Sequence, residues 1–401
     1  MKQIKHNKQR IVVALFVCLA TISATAQNQI GEVLKSIEQN NRSLRAAVQQ
    51  AEIHRIGAAT ELNLSNPSID LDYSFGNKAT NNGRETELKV VQEFDFPTLY
   101  SAKRKVVGQK MKLMDAQYRV TRQEVLVEAQ GLCLELVFLN KEKLLLENRR
   151  TLAEQFFQSC QKRFAINDIS RIDLNKANLW RMEVQNDYRK NEMERADRLR
   201  RLRDLNNGQP IELTDTVFPP DNGLLASFDD LLRVNLASDP QLHRLANESL
   251  VAQSQVKVAQ SQGLPKWSIG YRMDYIQPER FNGVHFGISI PLWENRNKVK
   301  LAKAQAIFSE TLVGNQKIQQ ENELRREYEN VVALKQILDE YSASFKSFDS
   351  RDLLRKSLEG GHISIFEYLI QLSDINQSEQ KLLEYERDYH LALSELLKGK
   401  L

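Results

Sequence analysis

The sequence contains few of the residues from which catalytic and metal sites are usually built. It has three cysteines in 401 residues, and its six histidines are dispersed along the chain. The patterns of a Gly-rich phosphate loop, an HExxH zinc helix and a serine nucleophile elbow are all missing. We therefore expect a protein that is not an enzyme, binds no cofactor and holds no metal ion.

The two cysteines beyond the N-terminal region do not predict a disulfide. Cys133 and Cys160 lie 27 positions apart (160 − 133) on one predicted helix. At about 1.5 Å per residue they would be roughly 40 Å apart, which is far beyond the reach of a disulfide. Both are interpreted as small residues of a helix seam.

The N-terminal segment, residues 1–26, has the pattern of a secretory signal peptide. Four basic residues within positions 2–10 precede the apolar core Ile11–Ala20, and Ala24-Thr25-Ala26 is a cleavage site. The apolar run is too short to anchor the chain in a bilayer. The alternatives are an amphipathic or buried N-terminal helix, and lipid attachment at Cys18, for which the preceding Val17 is unfavourable.

Charge gives no support for a nucleic-acid partner. The whole chain has a formal charge of +4, and the predicted signal peptide carries four basic residues and no acidic ones. The mature chain is therefore close to neutral, without the basic excess that nucleic-acid binding requires.

Proline is also scarce, and two long stretches have none. The first, 99–165, carries an apolar or small residue at every seventh position: Met111, Tyr118, Val125, Leu132, Leu139, Leu146, Ala153 and Cys160. This heptad seam predicts one helix packed along others, and about 66 residues would make a rod of roughly 100 Å. The second stretch, 296–358, has a similar seam: Leu324, Tyr328, Val331, Leu334, Leu338, Tyr341, Phe345 and Phe348.

The two predicted long helices are flanked by the same residue types at the same spacing. Pro97 and Pro291 precede them, Ser170 and Ser364 follow them, and the separation is 73 positions in both cases (170 − 97 and 364 − 291). The chain is therefore predicted to be a tandem duplication. Repeat 27–206 holds a helix, the hairpin 68–96, the long helix 99–165 and a return helix 171–206. Repeat 227–401 holds a helix to about residue 260, the hairpin 266–290, the long helix 296–358 and a return helix 364–398. Residues 207–226 form a linker at mid-height.

Each predicted hairpin alternates between two kinds of side chain, which indicates strands with one apolar and one polar face. The apolar set predicted to face lipid includes Tyr73, Phe75, Trp267, Tyr271 and Ile288. Strands of about nine to eleven residues with this pattern are typical of outer-membrane barrels. The alternative is a soluble sheet with one wet face. Since open sheet edges are not tolerated in lipid, four strands per chain would require several chains to close one barrel.

Taken together, these features resemble the TolC-like outer-membrane efflux factors. The resemblance rests on the signal peptide, the duplicated hairpins ending in Phe96-Pro97 and Ile290-Pro291, the long helices, and the turn Arg163-Phe164-x-x-Asn167-x-Ile169-Ser170-x-x-Asp173, and it covers residues 30–398. It implies a mainly α fold with a small β part, in which a homotrimer forms a twelve-stranded outer-membrane barrel continued by a periplasmic helical barrel. The family commonly has Gly where this chain has Asn167, a residue that also tolerates the left-handed conformation.

The turns after the two long helices have two compatible interpretations. Ser170-x-x-Asp173 and Ser364-x-x-Glu367 are capping boxes, which start helices. The turns are also predicted to be periplasmic tips that meet an adaptor protein, with Asp173 and Glu367 as pore-mouth carboxylates. The predicted docking residues are Asn167, Asp168, Ser170, Gly360, Gly361, His362 and Ser364.

The function expected from this reasoning is a passive outer-membrane exit duct of a tripartite efflux or secretion system. Its partners would be two further copies of the chain, outer-membrane lipid, a periplasmic adaptor and an inner-membrane pump. The alternative is a periplasmic coiled-coil scaffold without a pore. The exported substrate is not encoded in any pattern that we recognise.

Overall fold

The computed structural model describes residues 29–75, 85–220, 227–276, 279–348 and 350–401. The predicted signal peptide, the loop 76–84 and the second part of the linker lie outside these ranges. The helices, in chain order, are α1 (Gln29–Asn40), α2 (Arg42–Thr60), α3 (Pro97–Ala165), α4 (Arg171–Leu205), α5 (Phe228–Ser238), α6 (Pro240–Ser261), α7 (Lys298–Phe348), α8 (Arg351–Glu359) and α9 (Ile365–Leu396). The strands are β1 (Ser68–Ser74), β2 (Glu85–Phe94), β3 (Lys266–Ile276) and β4 (Glu279–Ser289). The prediction of a mainly helical chain with a small antiparallel sheet is confirmed.

The first long helix, α3, runs for 69 residues without a break. Its heptad seam is buried from Val125 to Cys160, whereas Met111 is exposed. Apolar spacing alone therefore identified the helix, but it overestimated how far the seam is covered within one chain.

The second long helix is not continuous, so the prediction of one rod over 296–358 was wrong. Helix α7 ends at Phe348, and α8 begins at Arg351 after Ser350, whose φ of −108° and ψ of 17° are not helical. Ser350 occupies the cap position of α8 without a capping side-chain hydrogen bond, and serine is a weak former of helix interiors.

The helix predicted from residue 227 to about 260 is also divided, at Asp239-Pro240. Pro240 has no N–H to donate, so it stands at the first position of α6. The Asp239 side chain caps this helix by accepting from the Leu242 N–H at 2.6 Å. The predicted N-terminal helix is divided in a milder way at Asn41. Here the backbone bonds Asn41 N–H to Ile37 O and Arg45 N–H to Asn41 O continue through the break.

The described residues form two compact units, and each unit draws on both sequence repeats. Unit 1 contains the residues up to Arg45, Thr121–Ala237 and Glu321–Leu401, and unit 2 contains Ala46–Val120 and Ser238–Gln320. None of the helices within the described ranges has a stretch long and apolar enough to cross a bilayer. Cys133 and Cys160, both in unit 1, are buried free thiols.

Unit 1 contains a buried cluster from the second predicted repeat and a buried stretch of α3 from the first. One cluster consists of Leu231, Leu324, Val331, Tyr389 and Leu396, all less than a tenth exposed. Along α3, five side chains have no solvent exposure: Ala129, Cys133, Leu136, Val137 and Ala153. Burial of such apolar surface is the main favourable term in folding.

The first part of the linker crosses unit 1 as an extended strap, residues 209–220. Buried Asn140 of α3 donates through Nδ2 to Leu213 O and Asp215 O, both at 3.0 Å, and its Oδ1 accepts from Arg195 Nε at 2.8 Å. Further along, the Phe218 ring stacks on His390 with centroids 4.4 Å apart and an interplanar angle of 4°. The Asn140 amide therefore satisfies two carbonyls of the strap.

Unit 2 contains the four-stranded antiparallel sheet, in the order β1-β2-β3-β4. Below the sheet, Leu99, Ala102, Val106 and Val258 form a small buried cluster between α3 and α6.

Replacing Asn140 with Leu should release the strap. The variant leaves the Leu213 and Asp215 carbonyls and the Arg195 guanidinium without their buried partner, at a cost of roughly 2 kcal/mol or more. We expect faster protease cleavage within residues 209–220 and a lower urea midpoint than in wild type. The control is Asn175→Leu on exposed α4 surface. Equal cleavage rates in both variants would contradict this role of Asn140.

Candidate functional site

The register of the sheet places most apolar side chains of the four strands on one face. Ile69 pairs with Val90, Val90 with Tyr271, and Tyr271 with Val284. The neighbouring row on this face joins Leu71, Leu88 and Met273, and another joins Phe94, Trp267 and Ile288. The face continues without a charge until Arg280, opposite Tyr275.

In the part of the chain that the structure describes, much of this apolar face is exposed. Ile69 is 70% exposed, Val284 is 81% exposed and Ile288 is 63% exposed. Contiguous apolar surface of this kind marks a site that contacts lipid or another protein. The sheet also has two open edges, because β1 and β4 each pair on one side only.

The residues that sequence analysis placed on this face lie where the pattern indicates. Tyr73, Trp267, Tyr271 and Ile288 are all on the apolar face and exposed. Phe75 lies just beyond β1, and its ring meets that of Tyr73 edge to face with centroids 5.0 Å apart. These positions define a surface, and the contact with lipid stays a proposal.

The opposite face is polar and rich in charge. Asp72, Glu87 and Asp274 form one cross-strand row, and Arg272 lies beside it, with Nε 3.0 Å from Glu87 Oε1 and 2.9 Å from Asp274 Oδ1. On the same face Gly270 lies against β2, where an added Cβ would clash with the Val90 carbonyl. The sheet therefore separates an uncharged surface from a charged one.

Sequence analysis overlooked two exposed apolar side chains that follow β4. Leu292 is 68% exposed and Trp293 is 81% exposed. Leu99, which occupies the position of Trp293 in the first repeat, is buried. The reason is local: α3 begins at Pro97, whereas α7 begins only at Lys298, after Asn297 in a left-handed conformation (φ 67°). The second long helix was predicted to begin at residue 296, so residues 292–295 were assigned to no element and the two exposed side chains were missed.

The turn after α3 combines a helix end with a helix start. Asn167 has a φ of 59°, its N–H donates to Phe164 O, and the Asp168 N–H donates to Arg163 O, which together form a Schellman motif. Ser170 then caps α4, accepting from the Asp173 N–H at 3.1 Å. Left-handed backbone at a residue other than glycine is least costly for asparagine, which explains how the turn forms without glycine.

The turn after α8 has the same construction. Gly361 has a φ of 73°, its N–H donates to Leu358 O, and the His362 N–H donates to Ser357 O. Ser364 lies three positions later and caps α9. At Gly360 an added Cβ would lie 2.9 Å from Cδ2 of the exposed His362 imidazole, which would have to move to make room.

The two turns lie together at one end of unit 1. Cys160, Ala177 and Ile365 form a buried cluster there, and Ile169 and Leu358 pack against it. The Phe156 ring of α3 stacks on Tyr368 of α9 at 5.5 Å. Lys176 Nζ of α4 lies 3.6 Å from the ring centroid of Phe366. The structure thus brings the predicted site residues of both repeats into one surface.

The predicted docking residues Asn167, Asp168, Ser170, Gly360, Gly361, His362 and Ser364 are all exposed on this surface. The carboxylates of Asp173 and Glu367 are both engaged in capping boxes. Hydrogen bonds from the Ser364 backbone N–H and hydroxyl hold the pKa of the Glu367 carboxyl below its usual value. Glu367 therefore keeps its negative charge at neutral pH while it caps α9.

Comparison with known proteins identifies the fold. A scan against protein-family models finds no match, and a search of curated proteins finds none. Among solved structures, the chain is similar to the transmembrane channel protein CusC, with 16% identity, coverage of 93% of this chain and 92% of that one, and a TM-score of 0.75. It is also similar to the Campylobacter jejuni CmeC outer membrane channel (15% identity, 92% and 85% covered, TM-score 0.71).

A third similar structure is the outer membrane protein VceC of Vibrio cholerae, at 14% identity, coverage of 93% and 94%, and a TM-score of 0.69. The resemblance to TolC-like efflux channels predicted from the sequence is therefore confirmed at the level of the fold.

Proposed function

We propose that this chain is a passive exit duct in the outer membrane, within a tripartite efflux or secretion system. The observation that supports it most is the sheet, which has an uncovered apolar face, a charged opposite face and two open edges. In a membrane the apolar face would contact lipid, and the edges would have to pair, since unpaired backbone groups are costly there.

Closure of the sheet sets the number of chains. Two copies would give eight strands, and an eight-stranded barrel has an interior that side chains fill. Three copies would give twelve strands and leave a bore lined by the charged face. The strand β4 of one copy would pair with β1 of the next. A homotrimer is also what the family resemblance implies.

The energy for export would come from elsewhere. A duct of this kind only lets substrate pass, so we propose an inner-membrane pump as the energy source and a periplasmic adaptor as the bridge to it. The alternative, a periplasmic scaffold without a pore, leaves the exposed apolar face without a role. A duct should remain in the outer-membrane fraction until detergent is added, whereas a scaffold should be released by osmotic shock.

We place the adaptor contact at the two turns. The docking residues proposed are Asn167, Asp168, Ser170, Gly360, Gly361, His362 and Ser364, with Asp173 and Glu367 as pore-mouth carboxylates. Two exposed apolar side chains beside the first turn, Ile166 and Ile172, would add contact area for a helical partner. Exposed backbone in both Schellman motifs allows such a partner to approach closely.

Charge substitutions on the two sheet faces should have opposite outcomes. Tyr73→Arg and Ile288→Arg each put a cation into lipid, at a cost of about 2–4 kcal/mol near the membrane midplane. We expect both to reduce the assembled oligomer in the outer membrane, measured on semi-native gels. Asp72→Arg is the control, because it lies on the charged face beside Glu87. Equal loss from all three variants would show that the faces are misassigned.

A substitution at the turns should separate docking from assembly. Gly361→Val forces a β-branched residue to a φ of 73°, at a cost of about 1–2 kcal/mol. Export should fail while the oligomer forms normally, and a second change at Asn167 should deepen the defect. The control is Gly314→Val, at a helical glycine where an added Cβ would meet no atom within 4 Å.

Photocrosslinking tests the same assignment directly. Probes at positions 168 and 362 should capture a periplasmic partner, and probes at positions 78–83 should not. Capture from 78–83 with none from the turns would overturn the docking assignment.

A further inference from the structure

An exposed surface of unit 2 lies where the strands end and the long helices begin. Strands β2 and β4 both run antiparallel to β3, so they end at the same edge of the sheet. Helix α3 starts at Pro97, soon after β2, and α7 starts at Lys298, soon after β4. A cleft of about 160 Å³ is lined by Lys103 of α3 and by Asn295 and Lys298. The starts of the two long helices therefore meet at one edge of the sheet.

Both helix starts are rich in cations. Residues 97–112 of α3 contain five lysine or arginine residues and no aspartate or glutamate. Residues 298–309 of α7 contain three lysines and again no carboxylate. In the intervening segment Glu294 is the one carboxylate of residues 292–297, and Lys298 Nζ lies 4.0 Å from its Oε1. Positive charge is therefore in excess on this side of the sheet.

Most of these cations are not neutralised within the chain. Lys103 is an exception, because its Nζ lies 3.4 Å from Asp95 Oδ2. Within 97–105 and 296–303, all of which the structure describes, five cations are exposed and make no ion pair: Arg104, Lys105, Arg296, Lys300 and Lys303. We call these five residues the basic collar.

The basic collar continues the uncharged face of the sheet. Ile288 of that face is exposed, and the exposed side chains Leu292 and Trp293 follow it along the chain. Arg296 comes three positions after Trp293. An apolar strand, then a tryptophan, then cations is the order typical of the boundary between hydrocarbon and head groups.

The combination of charge and apolar surface selects the partner. Unpaired cations attract an anion, and a nucleic acid or a free phosphate would satisfy them while leaving Leu292 and Trp293 in water. A phospholipid has a phosphate for lysine and arginine and, beside it, an interfacial layer in which an indole ring is favoured. Anionic phospholipid matches both features because its head group keeps a net negative charge.

We propose that the basic collar binds the head groups of anionic phospholipids in the leaflet nearest the helices. The guanidinium and ammonium groups contact the phosphates, and Leu292 and Trp293 lie in the interfacial layer next to them. This inference rests on the proposed outer-membrane function, since it requires the sheet to lie in lipid. It adds a preference among lipids, and it fixes the depth at which the sheet sits in the bilayer.

Tryptophan fluorescence tests the proposal, because the chain has only three tryptophans. In the variant Trp180→Phe/Trp267→Phe, Trp293 is the sole tryptophan. We expect its emission to shift saturably to shorter wavelength when phosphatidylglycerol is added to the full-length protein in non-ionic detergent. Phosphatidylcholine should have a much weaker effect, and inorganic phosphate should have none. An equal shift with phosphatidylcholine or with phosphate would overturn the proposal.

Charge variants in the same background test the collar itself. Arg296→Gln/Lys300→Gln should weaken phosphatidylglycerol binding by about tenfold, since each cation near the surface adds to the attraction for anionic lipid. The matched control, Lys317→Gln/Arg326→Gln, also removes one lysine and one arginine, both exposed on α7 but farther from the sheet. It should keep the affinity of the parent. Equal weakening in both variants would show only general attraction to positive charge and would overturn the proposal.

Conductance in a planar bilayer separates this proposal from the duct. A parent protein that forms conducting oligomers but shows no preference for phosphatidylglycerol would refute the collar and leave the duct standing. A parent protein that prefers phosphatidylglycerol and never conducts would refute the duct and support the collar.

Discussion

The register of the four strands is the constraint on which the rest of the account depends. Because Ile69, Val90, Tyr271 and Val284 lie in one row, a single sheet collects apolar side chains on one face and carboxylates on the other. A shift by one residue in any strand would move its whole apolar set to the charged face. Within the described residues this apolar face stays exposed, and β1 and β4 each pair on one side only. In the proposed assembly, lipid would cover the face and further copies would pair with the edges.

The turns of the two predicted repeats have the same local geometry although their residues differ. Asn167 and Gly361 are different residues, yet both adopt positive φ and both are followed three positions later by a capping serine. What the two repeats share is therefore the backbone path and its hydrogen bonds. Where this constraint is absent, as at Trp293 and Leu99, the repeats have diverged in both burial and helix start.

Periodicity was enough to predict the long helix α3, the strands and the capping boxes, because each depends on residues close in sequence. It was not enough at Asp239-Pro240, where the apolar pattern continued but the proline stopped the helix. It also failed to find the strap, since nothing in the sequence indicates that Asn140 contacts residues more than 70 positions away. Both turns pack against one buried cluster. This arrangement depends on tertiary packing, so it could not be predicted from the sequence either.

The central claim is that three copies close one barrel around a water-filled bore. Native mass spectrometry of the detergent-solubilised protein, followed by conductance of the same sample in a planar bilayer, tests it most directly. The account predicts a stable trimer that produces discrete, long-lived conducting steps. A monodisperse monomer, or a trimer that never conducts, would contradict it.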